Sequence, residues 1–184
     1  YAASVVVAWS AVGWRGMRLG GHAYGDKTYT NGADRDAIVA PKFRETMFQV
    51  MGGVKVLNLG NLKWGDAEVK ALAVVLPLCG QLTKLQIHGN SFGDDGMVAL
   101  AGAMGALASL KVLTLQRNQI GDVGLSTLAD AVSKGALASL EALGLAENQI
   151  GDAGMTAFAD AVGNGALSSL EKLVLSGNQI GDVG

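Results

Sequence analysis

A nine-residue frame, L-x-x-L-x-[LI]-x-x-N, recurs four times along this chain of 184 residues. The copies occupy residues 82–90, 110–118, 140–148 and 170–178, and an imperfect copy starts at Val54. Successive copies are 28 or 30 residues apart. A period this short predicts an array of stacked repeats, in which each unit buries its apolar side against its neighbours.

The frame itself predicts a short strand followed by a turn. In the copy that begins at Leu110, Leu113 and Leu115 are two residues apart and should share the buried face of a strand. Stacked copies then form a parallel sheet with one buried face. Asn118 comes where the chain must turn, and its amide can bind loop backbone groups, so we expect a ladder of asparagines across the repeats.

A helix is predicted after each strand. The residues Leu125, Leu128, Ala129 and Val132 follow the i, i+3, i+4, i+7 spacing of a buried helical stripe. Asp122 is the expected N-cap of its own helix, and Gly135 is the expected left-handed C-terminal cap. Each repeat is therefore strand, loop, helix, loop.

This pattern resembles the leucine-rich repeat family, specifically its long ribonuclease-inhibitor-like subclass. The resemblance is carried by Asn-Gln-Ile-Gly-Asp-x-Gly at Asn118, Asn148 and Asn178, and by a Leu-or-Phe-Ala-Asp-Ala-Val helix at Leu128 and Phe158. It implies an α/β fold, a right-handed solenoid with parallel strands on the concave face and helices on the convex face. It also implies binding rather than catalysis. The first copy departs from the pattern at Leu62 and at Glu68, which suits a terminal repeat.

The outward strand positions differ between copies, so we expect them to hold any partner protein. The fourth copy presents only Ala142, Gly144 and Ala146, which would let another backbone or helix approach closely. The alternative is that these are small, tolerated surface residues. The predicted partner-binding residues are Lys84, Gln86, His88, Gln116, Arg117, Ala142, Gly144, Ala146 and Lys172.

The first 53 residues lack the repeat and divide into three parts. Residues 1–19 form an apolar segment without charge before Arg15, residues 20–40 read as a linker, and residues 41–53 predict a helix that caps the first repeat. The apolar segment is too short to span a bilayer by itself. Membrane insertion, contact with another subunit, internal packing and a presequence remnant are the alternatives. Its predicted contact residues are Val5, Val6, Val7, Trp9, Val12, Trp14, Arg15 and Arg18.

Composition and isolated motifs narrow the function. A net charge of −2 without a long basic run argues against nucleic-acid binding. The sequence also lacks a nucleophile, a base and an orienting group that would come together as the active site of an enzyme. We expect no cofactor, no metal and no small-molecule substrate. Cys79 has no partner for an internal disulfide, which favours an intracellular compartment. Because the chain starts with Tyr1 and stops at Gly184 inside a repeat, we expect presequences or further repeats beyond it.

Two functions follow as hypotheses. The first is a non-catalytic scaffold for protein–protein interaction, an accessory or linker subunit of a membrane-associated complex. The second is a soluble sensor or inhibitor that holds a protein ligand in its concave face. The near-identical GALASL sequences at Gly105 and Gly135 also resemble repeat arrays of unicellular algae. A photosynthetic complex of a plastid is therefore one setting in which such a subunit would act.

Overall fold

The computed structural model describes residues 51–182, together with the backbone of a short hairpin near the N-terminus. The hairpin pairs β1 (Arg18–Leu19) with β2 (His22–Ala23) in antiparallel fashion. Of the predicted capping helix, the described residues include the helical Met51 and Gly52, and Met51 is fully buried. The rest of that helix, the linker and the apolar segment otherwise lie outside the described residues and stay predictions.

Five short strands form one parallel sheet whose order follows the sequence. Equivalent residues of successive copies pair, so that Leu57, Leu85, Leu113, Leu143 and Leu173 align across the sheet. The strands are β3 (Val56–Asn58), β4 (Lys84–Gln86), β5 (Val112–Thr114), β6 (Ala142–Gly144) and β7 (Lys172–Val174). This register confirms the prediction that the leucine frame is the structural repeat.

One helix follows each of β3, β4, β5 and β6, and consecutive helices pack side by side. The helices are α1 (Asp66–Val75), α2 (Asp94–Ala103), α3 (Asp122–Ser133) and α4 (Asp152–Gly163). The two shorter helices continue into 3-10 turns, Leu76–Leu78 and Met104–Ala106. The two longer ones are followed by the left-handed Gly135 and Gly165, as predicted for Gly135. This difference accounts for repeats of 28 and of 30 residues.

The core lies between the sheet and the helices and is mostly aliphatic. Leu113, Leu115, Leu125 and Leu128 are all buried, as the strand and helix patterns predict. Within residues 51–182, no helix combines the length and the apolar content that crossing a bilayer requires.

The asparagine ladder is confirmed. Asn148 is buried, and its Nδ2 donates to Leu145 O at 2.9 Å and to Leu115 O of the preceding repeat at 3.1 Å. Its Oδ1 accepts from the Ile120 amide at 3.2 Å. Asn90, Asn118 and Asn178 donate in the same way to one carbonyl of their own repeat and one of the preceding repeat. Each asparagine therefore ties two adjacent turns together.

The prediction that Asp122 caps its own helix is wrong. Gly121 is the N-cap of α3, and Asp122 is the first helical residue. The Asp122 carboxylate instead accepts from Gly151 N at 2.7 Å and from Gly154 N at 3.0 Å, at the start of the next helix. We call this series the aspartate ladder: Asp66, Asp94, Asp122 and Asp152 each accept from one or two glycine amides of the following repeat.

The first repeat shows why Glu68 stands where later repeats have glycine. The Glu68 side chain accepts from the Gly65 amide at 2.8 Å, so it satisfies the start of its own helix. In the later repeats the aspartate of the preceding repeat makes this contact. Glu68 therefore supplies within one repeat what the aspartate ladder supplies between repeats.

Candidate partner-binding surface

The outward side of the sheet forms a continuous surface of three rows, which we call the sheet face. The first row is Val56, Lys84, Val112, Ala142 and Lys172; the second is Asn58, Gln86, Thr114, Gly144 and Val174; the third is Gly60, His88, Gln116, Ala146 and Ser176. The first two rows follow the strand register, and the third follows from backbone hydrogen bonds that continue past the strands. Rigid strands therefore hold these side chains at fixed spacing.

The structure brings the predicted partner-binding residues together on this surface. Lys84, Gln86, His88 and Gln116 are half-buried, and Lys172 is exposed. Arg117 is exposed at the end of the third row, immediately after Gln116. Their role in binding a partner stays a prediction.

The fourth copy is not the bare patch that the sequence suggests. Gly144 and Ala146 are buried, and Ala142 is half-buried. A Cβ atom at Gly144 would overlap the side-chain amide of Gln116, which lies over this glycine. His88 covers Gly60 in the same manner. The space above the small residues is therefore occupied by long polar side chains of the adjacent strand.

Two oxygen atoms of this surface lack a hydrogen-bond partner among residues 51–182. They are Oγ1 of Thr114 and Oε1 of Gln116, both shielded from solvent. Buried polar atoms are normally paired, and an unpaired one costs about 1–3 kcal/mol. Gln116 is among the predicted partner-binding residues, whereas Thr114 was not singled out from the sequence, because nothing in the pattern separates it from its neighbours.

Ion pairs link adjacent repeats at the borders of the sheet face. Arg117 Nε donates to the Glu147 carboxylate at 3.0 Å, and Lys111 Nζ lies 2.6 Å from Glu141 Oε1. The hydrogen bond that Arg117 donates to Glu147 raises the pKa of Arg117. Both pairs join equivalent positions 30 residues apart, a signal that alignment of the copies reveals. Arg117 is therefore paired with Glu147.

Charge is divided between the two sides of the solenoid. The strand segments, residues 55–61, 83–89, 111–117, 141–147 and 171–177, carry five basic and three acidic side chains. The remaining residues between 51 and 182 carry three basic and nine acidic ones. The sheet side is thus net positive by two, while the loop and helix side is net negative by six.

The structure gives little support for a nucleophilic cysteine or for a metal site. Cys79 is fully buried, and burial raises the pKa of its thiol to about 11, so a nucleophilic thiolate is disfavoured at neutral pH. The two adjacent carboxylates at the start of α2 already have partners, since Asp94 belongs to the aspartate ladder and Asp95 pairs with Lys70 at 2.7 Å. No cluster of three or more potential metal ligands occurs in the part of the chain that the structure describes.

The predicted membrane or subunit contact falls almost entirely outside the described residues. Only the backbone of Arg18, in β1, is described. Val5, Val6, Val7, Trp9, Val12, Trp14 and Arg15 lie outside them. Their contact with a membrane or subunit stays a prediction.

The family assignment follows from the repeats. The family model described as Leucine Rich repeat matches residues 81–101, 106–129, 136–159 and 166–184. These segments coincide with the strand, turn and helix units described above. The chain is a leucine-rich repeat protein. Leucine-rich repeat proteins are typically non-catalytic and bind other proteins. The ribonuclease-inhibitor-like subclass stays a prediction.

Several solved leucine-rich repeat structures are similar to this one. A chain of the BIR3–SERK2 complex from Arabidopsis thaliana shares 20% identity, with 67% of this chain and 56% of that chain covered, at a TM-score of 0.40. An internalin (inlF) from Listeria monocytogenes shares 21% identity over 71% and 44%, at a TM-score of 0.37. An internalin C2 from the same organism shares 18% identity over 74% and 77%, at a TM-score of 0.33.

The leucine-rich repeat protein therefore spans about half of the length of the first two solved chains. No curated protein matches it. The assignment rests on the family match and on the repeat geometry.

Proposed function

We propose that this leucine-rich repeat protein is a non-catalytic scaffold that binds a partner protein on its sheet face. The proposal rests on a difference between two sets of residues within each repeat, those that hold adjacent repeats together and those that face outward from the sheet. The repeated leucines, asparagines and aspartates are engaged with adjacent repeats, as Asn148 and Asp122 illustrate. The sheet-face residues vary between copies and include half-buried polar side chains such as Gln86 and His88. Variation on a rigid strand surface is the pattern expected of specific recognition.

A bulky substitution on the sheet face tests the proposal. Ala142 is half-buried in the first row, so Ala142→Trp should obstruct the surface. Position 144 is unsuitable for this test, because a tryptophan there would collide with Gln116. We expect recovery of native partners from a cell extract, measured by quantitative mass spectrometry, to fall at least tenfold.

The matched control places the same side chain on the opposite side of the solenoid. Val123 in α3 is 62% exposed, and Val123→Trp should leave partner recovery unchanged. Thermal unfolding followed by circular dichroism establishes that both variants fold. Equal partner recovery by the wild type and by folded Ala142→Trp would contradict the proposal.

We further propose that residues 1–19 attach this scaffold to a membrane or to another subunit of a membrane-associated, intracellular complex, for which a plastid is one setting. The support is the uncharged run through Trp14, followed at once by Arg15 and Arg18. Flotation of the full chain with lipid vesicles, and co-fractionation with native complexes, measure this attachment. Val6→Asp should reduce both, whereas Val6→Ala should not. Identical fractionation of all three chains, as a species free of lipid and of other subunits, counts against attachment.

The second candidate function is a soluble sensor or inhibitor whose sheet face holds a regulated protein. The polar, half-buried character of Gln86, His88 and Gln116 favours it, since such side chains suit a reversible interface. The same variants separate the candidates. The soluble candidate predicts that Ala142→Trp abolishes partner binding while Val6→Asp leaves it intact.

A further inference from the structure

Two lysines of the sheet face occupy the same row, three strands apart. Lys84 in β4 and Lys172 in β7 are aligned through Val112 and Ala142. Strand spacing places them about 14 Å apart along the row. Neither lysine belongs to the ion pairs formed within residues 51–182. Between Lys84 and Lys172 the row presents the apolar side chains of Val112 and Ala142.

Hydrogen-bond acceptors lie beside this row. Thr114 follows two residues after Val112 on the same face, and Gln116 follows two residues later still. Their oxygens, Oγ1 and Oε1, find no donor among residues 51–182. Both oxygens are shielded from solvent, so a peptide lying across the strands would contact the lysines and the apolar side chains of the row rather than these oxygens.

The spacing of the lysines matches that of an extended chain. Because a strand rises about 3.3 Å per residue, side chains at i and i+4 lie on the same side about 13 Å apart. Glutamates at those positions would reach Lys84 and Lys172 together. The side chain at i+2 would then face Val112 and Ala142, where an apolar residue fits.

We propose that the sheet face recognises an extended acidic segment of a partner protein, with two carboxylates four residues apart bound by Lys84 and Lys172. This inference rests on the proposed function of the sheet face. Charge complementarity supports it, since the strand segments are net positive while the rest of residues 51–182 is net negative.

A polypeptide fits this surface better than a nucleic acid does. Glu141, Glu147 and Glu171 stand within the same strand segments and would repel a continuous run of phosphates. Two separated carboxylates can instead contact the two lysines and avoid the glutamates. The acidic ligand is therefore a protein segment.

A labelled nine-residue peptide tests the proposal by fluorescence anisotropy with the full chain. The peptide carries Glu at its third and seventh positions and Ser, Thr or Val elsewhere. We expect Lys84→Gln and Lys172→Gln each to weaken binding about fivefold, and the double variant about twentyfold. Replacement of both glutamates by glutamine, or a shift of the second glutamate to the fifth position, should weaken binding of the wild-type protein comparably.

Lys134→Gln is the matched control, because it makes the same charge change at the exposed C-terminal end of α3. It should alter binding less than twofold. Thermal unfolding of each variant checks that the fold is retained. Raising the salt from 0.05 to 0.5 M should weaken peptide binding, since the lysines are partly in solvent.

Three results would overturn the proposal: no binding of the peptide by the wild-type chain, an equal loss with Lys134→Gln, or stronger binding of a single-stranded oligonucleotide than of the peptide. Failure here is distinguishable from failure of the scaffold function. If Ala142→Trp abolishes capture of native partners while both lysine variants retain it, the sheet face is a docking surface that does not read acidic segments.

Discussion

The aspartate ladder and the sheet face are built on the same repeat but use their polar groups in opposite ways. In the ladder, Asp122 accepts from two amides of the next repeat, and the contact recurs from unit to unit. On the sheet face, Thr114 and Gln116 keep oxygens without a donor among residues 51–182. The ladder contacts therefore recur and hold neighbouring repeats together, whereas the polar side chains of the sheet face differ from one repeat to the next. Residues that recur in every repeat serve folding, and residues that differ between repeats are the candidates for recognition.

The largest effect is expected where the ladder brings two helices close. A Cβ atom at Gly154 would lie 2.7 Å from Asp122 Oδ1 and 2.8 Å from Asp122 Cα, so α3 and α4 must move apart in Gly154→Ala. We expect the free energy of unfolding to fall by about 3 kcal/mol in urea denaturation. Gly163→Ala, in the same helix but with open space around it, should instead raise stability by up to about 1 kcal/mol. Equal effects of the two substitutions would show that close packing at the ladder is unimportant.

A smaller loss is expected from removal of one ladder carboxylate. Asp94 Oδ1 accepts from Gly121 N at 2.7 Å and from Gly124 N at 2.9 Å, so Asp94→Ala leaves two helix-start amides without this partner. Urea denaturation should show a loss of about 2 kcal/mol. Asp182 makes no such contact within residues 51–182, and Asp182→Ala should change stability by less than about 0.5 kcal/mol. If both aspartates proved equally important, the stabilisation would not come from contacts between repeats.

The sheet face should respond in the opposite direction. Thr114→Val removes a shielded hydroxyl that has no partner among residues 51–182 while keeping the side-chain shape. We expect stability to stay constant or to rise by up to about 1 kcal/mol, because an unpaired polar atom is lost. A loss of more than about 1 kcal/mol in denaturation would mean that Thr114 serves folding, as the ladder does.

The smallest effect is expected at the exposed ion pair between α1 and α2. The hydrogen bond from Lys70 is the main cause that lowers the pKa of Asp95. A carboxyl group with a lowered pKa in the folded state stabilises the fold above its ordinary pKa of 3.8, and this contribution is lost as the pH falls through the folded value. The unfolding temperature of Asp95→Asn should therefore lie slightly below that of the wild type at pH 7. The two temperatures should converge once the pH lies well below 3.8, and also in 1 M salt; a difference that persists under those conditions would exclude the ion pair as its source.

Much of the fold was accessible from one copy of the repeat. The alternation at Leu113 and Leu115 predicted the buried side of β5, and the spacing from Leu125 to Val132 predicted the buried stripe of α3. These predictions succeed because side-chain direction along a strand or helix depends only on local backbone geometry. Asn118 was also predictable, since its amide binds within its own turn as well as across repeats.

The candidate site was harder to predict from the sequence. The sequence placed the partner-binding residues on one surface, but it presented Gly144 as open space, and the structure fills that space with Gln116. It also gave no sign that Arg117 pairs with Glu147 of the next repeat. Both differences arise from residues 28 to 30 positions apart, whose contacts depend on how adjacent strands align.

By itself, the sequence determined the period, the inward leucines and the succession of strand, turn and helix, because apolar spacing and local geometry suffice for them. Only the tertiary structure decided which groups each polar side chain binds. Asp122 serves the next helix rather than its own, and the oxygens of Thr114 and Gln116 stay without a donor among residues 51–182. The physical reason is that hydrogen bonds are short and directional, so their partners depend on the stacking of whole repeats.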